Sequence, residues 1–128
     1  MIKKNMVSLW LGKFDSSYEF DEYVDMKFDE DGNYINSNFQ KEFSILSYDL
    51  DSIEKDWIDN TCNSVEELLY GFSYDEIIIR KFKDVIKCKD LSKYNSILLL
   101  YNYEYEEKYL KTKLMMDYIG CVDINCFI

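Results

Sequence analysis

The stretch ILLLYNYEY, residues 97–105, is the most apolar and most aromatic part of the chain. Alternation along a β-strand places the side chains of residues 97, 99, 101, 103 and 105 on one face. The opposite face begins with Leu98 and Leu100 and reaches solvent at Asn102 and Glu104. Because its first half is apolar on both faces, the stretch predicts a strand in the interior of a sheet.

Two further segments have the pattern of strands. Residues 6–11 are apolar around Trp10, which we expect in the core, and they end at Gly12. Residues 114–124 alternate apolar side chains with Asp117 and Asp123, as in a half-buried strand. We expect this strand to form an antiparallel hairpin with residues 97–105. The sheet therefore has at least three strands.

Four capping boxes predict four helix starts, because the Ser side chain and the Glu or Gln three residues later each satisfy a free backbone N–H. They begin at Ser16, Ser37, Ser64 and Ser73. Apolar stripes at helical spacing follow each start. The side chains expected to face inward are Phe20, Tyr23, Val24, Phe39, Phe43, Val65, Leu68, Leu69, Phe72, Ile78, Phe82, Val85 and Ile86.

These elements predict an α+β fold, with a small, mainly antiparallel sheet of at least three strands and about four helices packed on it. The length of 128 residues predicts one domain over residues 1–128. Residues 29–33 predict an acidic turn between two helices, since a calcium loop would need a carboxylate where Lys27 stands. Residues 48–58 fit either a short helix capped by Asp51 or an extended edge segment.

Composition excludes several classes of catalysis. The chain has no His, which removes Ser-His-Asp and Cys-His catalysis and almost all zinc sites. It has no Pro and four Gly, and it contains no glycine-rich phosphate loop. Its four cysteines, at positions 62, 88, 121 and 126, form no Cys-x-x-Cys pair, so we expect structural thiols.

Charge and hydropathy point to a soluble cytoplasmic protein. No run of about 18 apolar residues and no signal-peptide core is present. The net charge is −10, and residues 15–76 hold 18 Asp and Glu against three Lys, whereas residues 77–93 are mainly basic. Such a field repels nucleic acid and anionic membranes and attracts a basic partner.

Two kinds of chemistry remain open to a chain without His. Glu104, Glu106 and Glu107 follow the predicted interior strand and could bind Mg²⁺ in a carboxylate-metal hydrolase, although charges at a strand exit more often protect a solvated edge. The acidic and aromatic composition instead suits a surface that binds a basic protein.

Five short sequences, in the same order along most of the chain, carry a family resemblance. They are VSLWLG (7–12), FDEYV (20–24), YDLDSIE (48–54), GFSY (71–74) and YNYEY (101–105). Together they resemble the immunity protein 22 family of bacterial polymorphic toxin systems. The resemblance implies a cytoplasmic antitoxin that binds and occludes a cognate toxin domain, with no catalysis and no cofactor.

From this resemblance and the charge pattern we expect an acidic rim and exposed tyrosine anchors at the toxin interface. The expected partner-binding residues are Asp29, Glu30, Asp31, Asp49, Asp51, Glu54, Asp56, Tyr101, Tyr103 and Tyr105. A toxin with a basic surface, such as a nuclease, is the expected partner. The alternative is another acidic binding module, such as a nucleic-acid mimic or a regulatory adaptor, and a hydrolase ranks below it.

Overall fold

A computed structural model of the chain describes residues 1–60, 62–87, 89–107 and 114–125. The strands are β1 (Ile2–Gly12), β2 (Lys27–Phe28), β3 (Tyr34–Ile35), β4 (Ile53–Trp57), β5 (Ser96–Tyr103) and β6 (Met116–Asp123). The helices are α1 (Ser17–Val24), α2 (Asn38–Phe43), α3 (Val65–Leu69) and α4 (Asp75–Ile86), with short 3-10 turns at Leu50–Ser52 and Leu91–Lys93.

The main sheet has four antiparallel strands in the order β4-β5-β1-β6. One face carries the core formed with α3 and α4, and the other carries the core formed with α1 and α2. We call them the α3/α4 face and the α1/α2 face. The expected α+β class, with a mainly antiparallel sheet and about four helices, is confirmed.

β5 lies in the interior of the sheet, as the sequence predicts. Residues 97–100 have no exposed surface, with Ile97 and Leu99 on the α3/α4 face and Leu98 and Leu100 on the α1/α2 face. Because both faces of the sheet are covered by helices, apolar side chains are required on both sides of this strand.

The alternation of β5 changes at Asn102. Tyr101 lies on the α3/α4 face, whereas Tyr103 and Tyr105 lie on the α1/α2 face, so the expectation of one shared face for the whole stretch is wrong. Asn102 (φ 57°) and Asn5 (φ 68°) both adopt the left-handed conformation, and the Asn5 N–H donates to Asn102 Oδ1 at 2.9 Å. Such a pair interrupts the regular ladder between β1 and β5 and turns the following side chains to the other face.

β6 pairs with β1 and not with β5, so the expected hairpin is wrong. β1 is placed between them because it is apolar on both faces, with Leu9 and Leu11 on one and Trp10 on the other, all fully buried. Trp10 is therefore a core residue, as expected. The register of β6 shifts opposite Leu9 and Trp10, which puts Met116 and Val122 on different faces and breaks the single alternation predicted for residues 114–124.

Three of the four predicted serines cap a helix, and Ser37 forms the complete capping box with Gln40. The hydroxyls of Ser16, Ser37 and Ser64 each accept a hydrogen bond at 3.1 Å from the backbone N–H three residues later. The fourth helix, α4, is present, but the predicted cap is wrong, because the N-cap is Tyr74, which makes no side-chain capping bond. Ser73 bonds instead to Glu54 of β4.

The predicted apolar stripes are buried with two exceptions. Phe72 lies beyond the end of α3 and is only partly buried. Val85 is 40% exposed, although its side chain lies close to Gly120 of β6, against which α4 packs.

The two ambiguous segments are both resolved. The acidic turn at residues 29–33 is present, but it joins β2 to β3 in a small hairpin and does not join two helices directly. Residues 48–58 form a 3-10 turn followed by the edge strand β4, so the extended interpretation is confirmed. Asp49, and not Asp51, is the cap of that turn, since its carboxylate accepts from the Asp51 N–H at 3.0 Å.

Candidate binding surface

The three tyrosines expected as exposed anchors are buried. Tyr101, Tyr103 and Tyr105 expose only 8%, 7% and 6% of their surface, so this expectation is wrong. Burial is also the main reason that the pKa of each hydroxyl is raised. Tyr105 packs edge-on against the Trp10 ring in the core of the α1/α2 face, where the turn at Asn102 has placed it.

Four of the predicted acidic residues lie on one continuous stretch, residues 46–56, which we call the acidic segment. They are Asp49, Asp51, Glu54 and Asp56. The segment lines three depressions in the surface. One of 220 Å³ lies beside β3, a second of 220 Å³ lies at the start of α4, and a third of 420 Å³ follows β4. Three of these carboxylates, those of Asp51, Glu54 and Asp56, line the depressions at the start of α4 and along β4.

Hydrogen bonds to Glu54 connect β4 to the turn between α3 and α4. Its carboxylate accepts hydrogen bonds from the Ser73 N–H, at 2.9 Å, and from the Ser73 hydroxyl. The Tyr101 hydroxyl donates to the Ser73 carbonyl oxygen at 2.6 Å. Burial, and then the negative charge of Glu54, raises the pKa of Tyr101. Tyr101 is therefore a buried support for this turn.

Two other tyrosines stand exposed beside the acidic segment. Tyr70 is 80% exposed and lines the groove along β4, and Tyr74 is 62% exposed and lines the depression at the start of α4. The Tyr74 ring lies 6.4 Å from the Tyr101 ring. Sequence reasoning missed both residues. The signal for them was Gly71, because a break between two helices leaves neighbouring side chains in solvent.

Lys55 is the one basic residue of the acidic segment, and α1 neutralises it. Its ammonium lies 2.5 Å from Asp21 Oδ1 and 3.1 Å from Asp25 Oδ1. Partial burial opposes the charge, but the hydrogen bonds to the two carboxylates outweigh it and raise the pKa of Lys55. Lys55 points toward the α1/α2 face, so the side of β4 that faces α3 and α4 presents the carboxylates of Glu54 and Asp56.

The β2–β3 hairpin adds an apolar area with an acidic tip. Asp29 Oδ1 accepts from the backbone N–H groups of Asp31 and Asn33, both at 2.9 Å, and the Asn33 bond is the main reason that the pKa of Asp29 is lowered. The large apolar side chains exposed on this hairpin and on the first part of the acidic segment are Phe28, Tyr34, Ile35, Leu46 and Leu50.

The hydrolase alternative gains no support from the geometry. Glu104 pairs with Lys3 at 3.4 Å. In residues 1–60, 62–87, 89–107 and 114–125, no group of three or more Asp, Glu or Cys side chains could hold a metal ion. Glu106 and Glu107 are exposed side chains after β5.

Two of the four cysteines lie among the described residues. Cys62 and Cys121 are partly buried free thiols, and burial raises the pKa of both. Cys88 and Cys126 lie outside the described residues. None of the described helices is long and apolar enough to cross a membrane.

Comparison with protein families identifies the chain. The model of the Immunity protein 22 family matches residues 7–124, from β1 through the end of β6. Comparison with curated proteins and with solved structures gives no match. The family expected from the five short sequences is confirmed, and the chain belongs to the Immunity protein 22 family.

Proposed function

We propose that this protein is a cytoplasmic antitoxin that binds a cognate toxin domain and occludes its active site without catalysing a reaction. Membership in an immunity protein family supports a protective role in general. We place the toxin contact on the acidic segment together with Tyr70 and Tyr74, and we include the acidic hairpin tip at residues 29–31 as its rim.

The observation that carries this placement is the meeting of three carboxylates, those of Asp51, Glu54 and Asp56, with two exposed tyrosines along the β4 edge of the sheet. Interfaces draw most of their binding energy from a few aromatic or arginine side chains, while surrounding charges steer the encounter. The exposed Leu46 and Leu50 supply apolar surface next to the carboxylates. The partner is therefore a basic surface that can accept tyrosine rings.

The backbone of Tyr74 supports the same placement. Its φ of 60° is unusual for a bulky residue and costs roughly 1–3 kcal/mol. Strain of this kind is found more often at functional positions than elsewhere. The bonds among Glu54, Ser73 and Tyr101 hold the turn that displays the Tyr74 ring.

A nuclease is the toxin class that this surface fits best. A nuclease must bind phosphates with basic side chains, and carboxylates presented at phosphate-like positions compete for those groups. The net charge of −10 favours association with such a domain and repels nucleic acid itself.

Co-expression tests the function directly. The C-terminal domain encoded by the neighbouring gene is expressed as the candidate toxin, with and without this protein, and survival and co-purification are scored. We expect protection and a stable complex. Failure of the wild-type protein to protect or to co-purify would contradict the proposed function.

A tyrosine variant tests the placement. Tyr70→Ala should weaken the complex by about 2 kcal/mol, or roughly 30-fold, because it removes an aromatic anchor. The matched control is Tyr18→Ala, since Tyr18 is 70% exposed but lies on α1. Equal affinities of the two variants for the toxin domain would contradict this placement and show that the contact lies on another surface.

A further inference from the structure

The outer edge of β4 is the feature of the surface that the proposed contact leaves unexplained. β4 is the last strand of the main sheet, and no strand pairs with its outer edge among the described residues. The strand is only half-buried, whereas its neighbour β5 is buried along almost its whole length. A groove of 420 Å³ follows this edge on the α3/α4 side.

The direction of the β4 backbone groups follows from two hydrogen bonds. The Ile58 N–H donates to the Asn95 carbonyl oxygen of the β5 side at 2.8 Å, whereas the Trp57 N–H donates to Asp56 Oδ1 at 2.9 Å. In an antiparallel pair, alternate residues direct both backbone groups toward the partner strand. Glu54 and Asp56 therefore bond to β5, and Ile53 and Lys55 direct their N–H and C=O groups away from the sheet.

We propose that an extended segment of the toxin domain adds to the sheet as a fifth strand along β4. This inference rests on the proposed function, because it names how the same surface holds its partner. The outward backbone groups of Ile53 and Lys55 supply main-chain hydrogen bonds, as in other complexes formed by strand addition. The Asp56 carboxylate already satisfies the Trp57 N–H, so pairing covers residues 53–55 and is short.

The two faces of β4 define the side chains of the added strand. On the α3/α4 side they meet the carboxylates of Glu54 and Asp56 and the exposed ring of Tyr70, which line the groove. Directly opposed residues on paired strands lie about 5 Å apart, so charges of opposite sign stabilise the pair. The residues of the toxin strand that face this groove are therefore Lys or Arg.

On the other side the added strand meets Ile53 and Trp57, which pack on the core of the α1/α2 face, and the neutralised Lys55. Apolar side chains fit this face. The toxin segment that fits beside β4 is therefore extended, and its basic residues alternate with apolar ones. A helix does not present side chains with this period of two.

Backbone amide exchange measured by NMR tests the pairing on the wild-type protein. The probe is the toxin domain encoded by the neighbouring gene. In the complex, exchange at the Ile53 and Lys55 amides should slow by at least about tenfold, whereas the Glu54 and Asp56 amides should already be slow in the free protein because they bond to β5. A complex in which the Ile53 and Lys55 amides exchange as in the free protein overturns strand addition and leaves the proposed function standing. Absence of any complex overturns both.

A proline variant independently tests the hydrogen bond that the Lys55 N–H would donate to the added strand. Lys55→Pro removes an N–H that points away from β5, and proline is tolerated at such an edge position. The matched control is Lys55→Ala, which removes the same side chain and its bonds to Asp21 and Asp25 but keeps the N–H. K55P should bind the toxin domain about tenfold more weakly than K55A, the effect of one lost hydrogen bond.

Equal binding by K55P and K55A would overturn strand addition. Unfolding of K55P, with K55A folded, would also overturn it, because it would place the Lys55 N–H in the ladder with β5.

Discussion

The pair of Glu54 and Ser73 connects the candidate surface to the core at the scale of single residues. The Ser73 N–H donates to the Glu54 carboxylate on one side, and the Ser73 carbonyl oxygen accepts from the Tyr101 hydroxyl on the other. A buried tyrosine thus determines how an exposed turn is held. Tyr101 therefore acts on the surface through Ser73, although its own ring is covered.

Tyr101→Phe should lower the free energy of unfolding by about 1 kcal/mol at neutral pH, because it removes one buried hydrogen bond. The raised pKa of Tyr101 means that the folded state favours the neutral hydroxyl. Its contribution is fully present below the usual tyrosine pKa of 10.0 and is lost as the pH rises above it. Urea denaturation at neutral pH and at a pH of about 11 measures both effects.

The control for Tyr101 is Tyr18→Phe, since Tyr18 is largely exposed. It should leave stability unchanged at neutral pH. If Tyr101→Phe is as stable as this control and keeps the alkaline loss of the wild-type protein, the support of the turn by Tyr101 is contradicted.

Asn102 turns Tyr103 and Tyr105 into the core through its left-handed backbone. Asn102→Ala should cost about 1–2 kcal/mol, because alanine lacks the polar side chain with which asparagine tolerates the left-handed conformation, and because the Oδ1 acceptor of the Asn5 N–H is lost. Asn102→Gly loses the same Oδ1 acceptor but adopts the conformation freely. Thermal unfolding should therefore find Gly at least as stable as Ala at this position, and a clear advantage for Ala would contradict the backbone assignment.

These residues show where sequence reasoning stops at this scale. The burial of Trp10 and of residues 97–100 follows from apolar pattern alone. The change of face at Asn102 does not follow from that pattern, because the sequence does not show whether an asparagine within a strand adopts the left-handed backbone conformation. The burial of Tyr103 and Tyr105 on the α1/α2 face depends on this reversal, whereas Tyr70 and Tyr74 are exposed at the break between α3 and α4.

At the scale of elements, helix starts were predictable where the cap is local. Ser16, Ser37 and Ser64 cap their helices through bonds to residues three positions later. Ser73 has the same spacing, but a strand 19 residues earlier in the chain takes its hydroxyl and its N–H. A sequence pattern of four residues does not show a hydrogen-bond partner that lies far away along the chain. The insertion of β1 between β5 and β6 likewise depends on pairing over long sequence separations.

Ser37 makes the complete capping box of α2, since Gln40 Oε1 also accepts the Ser37 N–H at 3.0 Å. Ser37→Ala should lower the free energy of unfolding by about 1 kcal/mol. Ser17→Ala is the control, because Ser17 is an exposed residue in the first turn of α1. Chemical denaturation that gives the two variants equal stability would show that the box contributes nothing to α2.

At the scale of the whole molecule, the charge pattern and the fold act together. The sheet places the acidic segment at its β4 edge, while β6 forms the opposite edge and packs against α4. The basic residues of α4 are partly engaged, as Lys83 pairs with Glu66 of α3. The acidic composition of residues 49–56 can be read from the sequence alone, whereas their position at the edge of the sheet depends on the fold.

Binding through the acidic segment is tested most directly by the rate at which the protein associates with the toxin domain. Stopped flow measures this rate between ionic strengths of about 0.01 and 0.15 M. Over this range the length over which salt screens charges falls from about 30 to about 8 Å. The double variant Asp51→Asn/Asp56→Asn removes two charges from the acidic segment. The control Asp84→Asn/Asp123→Asn removes two exposed charges from α4 and β6.

We expect the association rate of the wild-type protein and of the control to fall by at least about tenfold as the salt concentration rises. For Asp51→Asn/Asp56→Asn we expect a slower rate at low salt and a weaker dependence of the rate on salt. A wild-type rate that is independent of salt, or equal slowing by the two double variants, would contradict binding through the acidic segment.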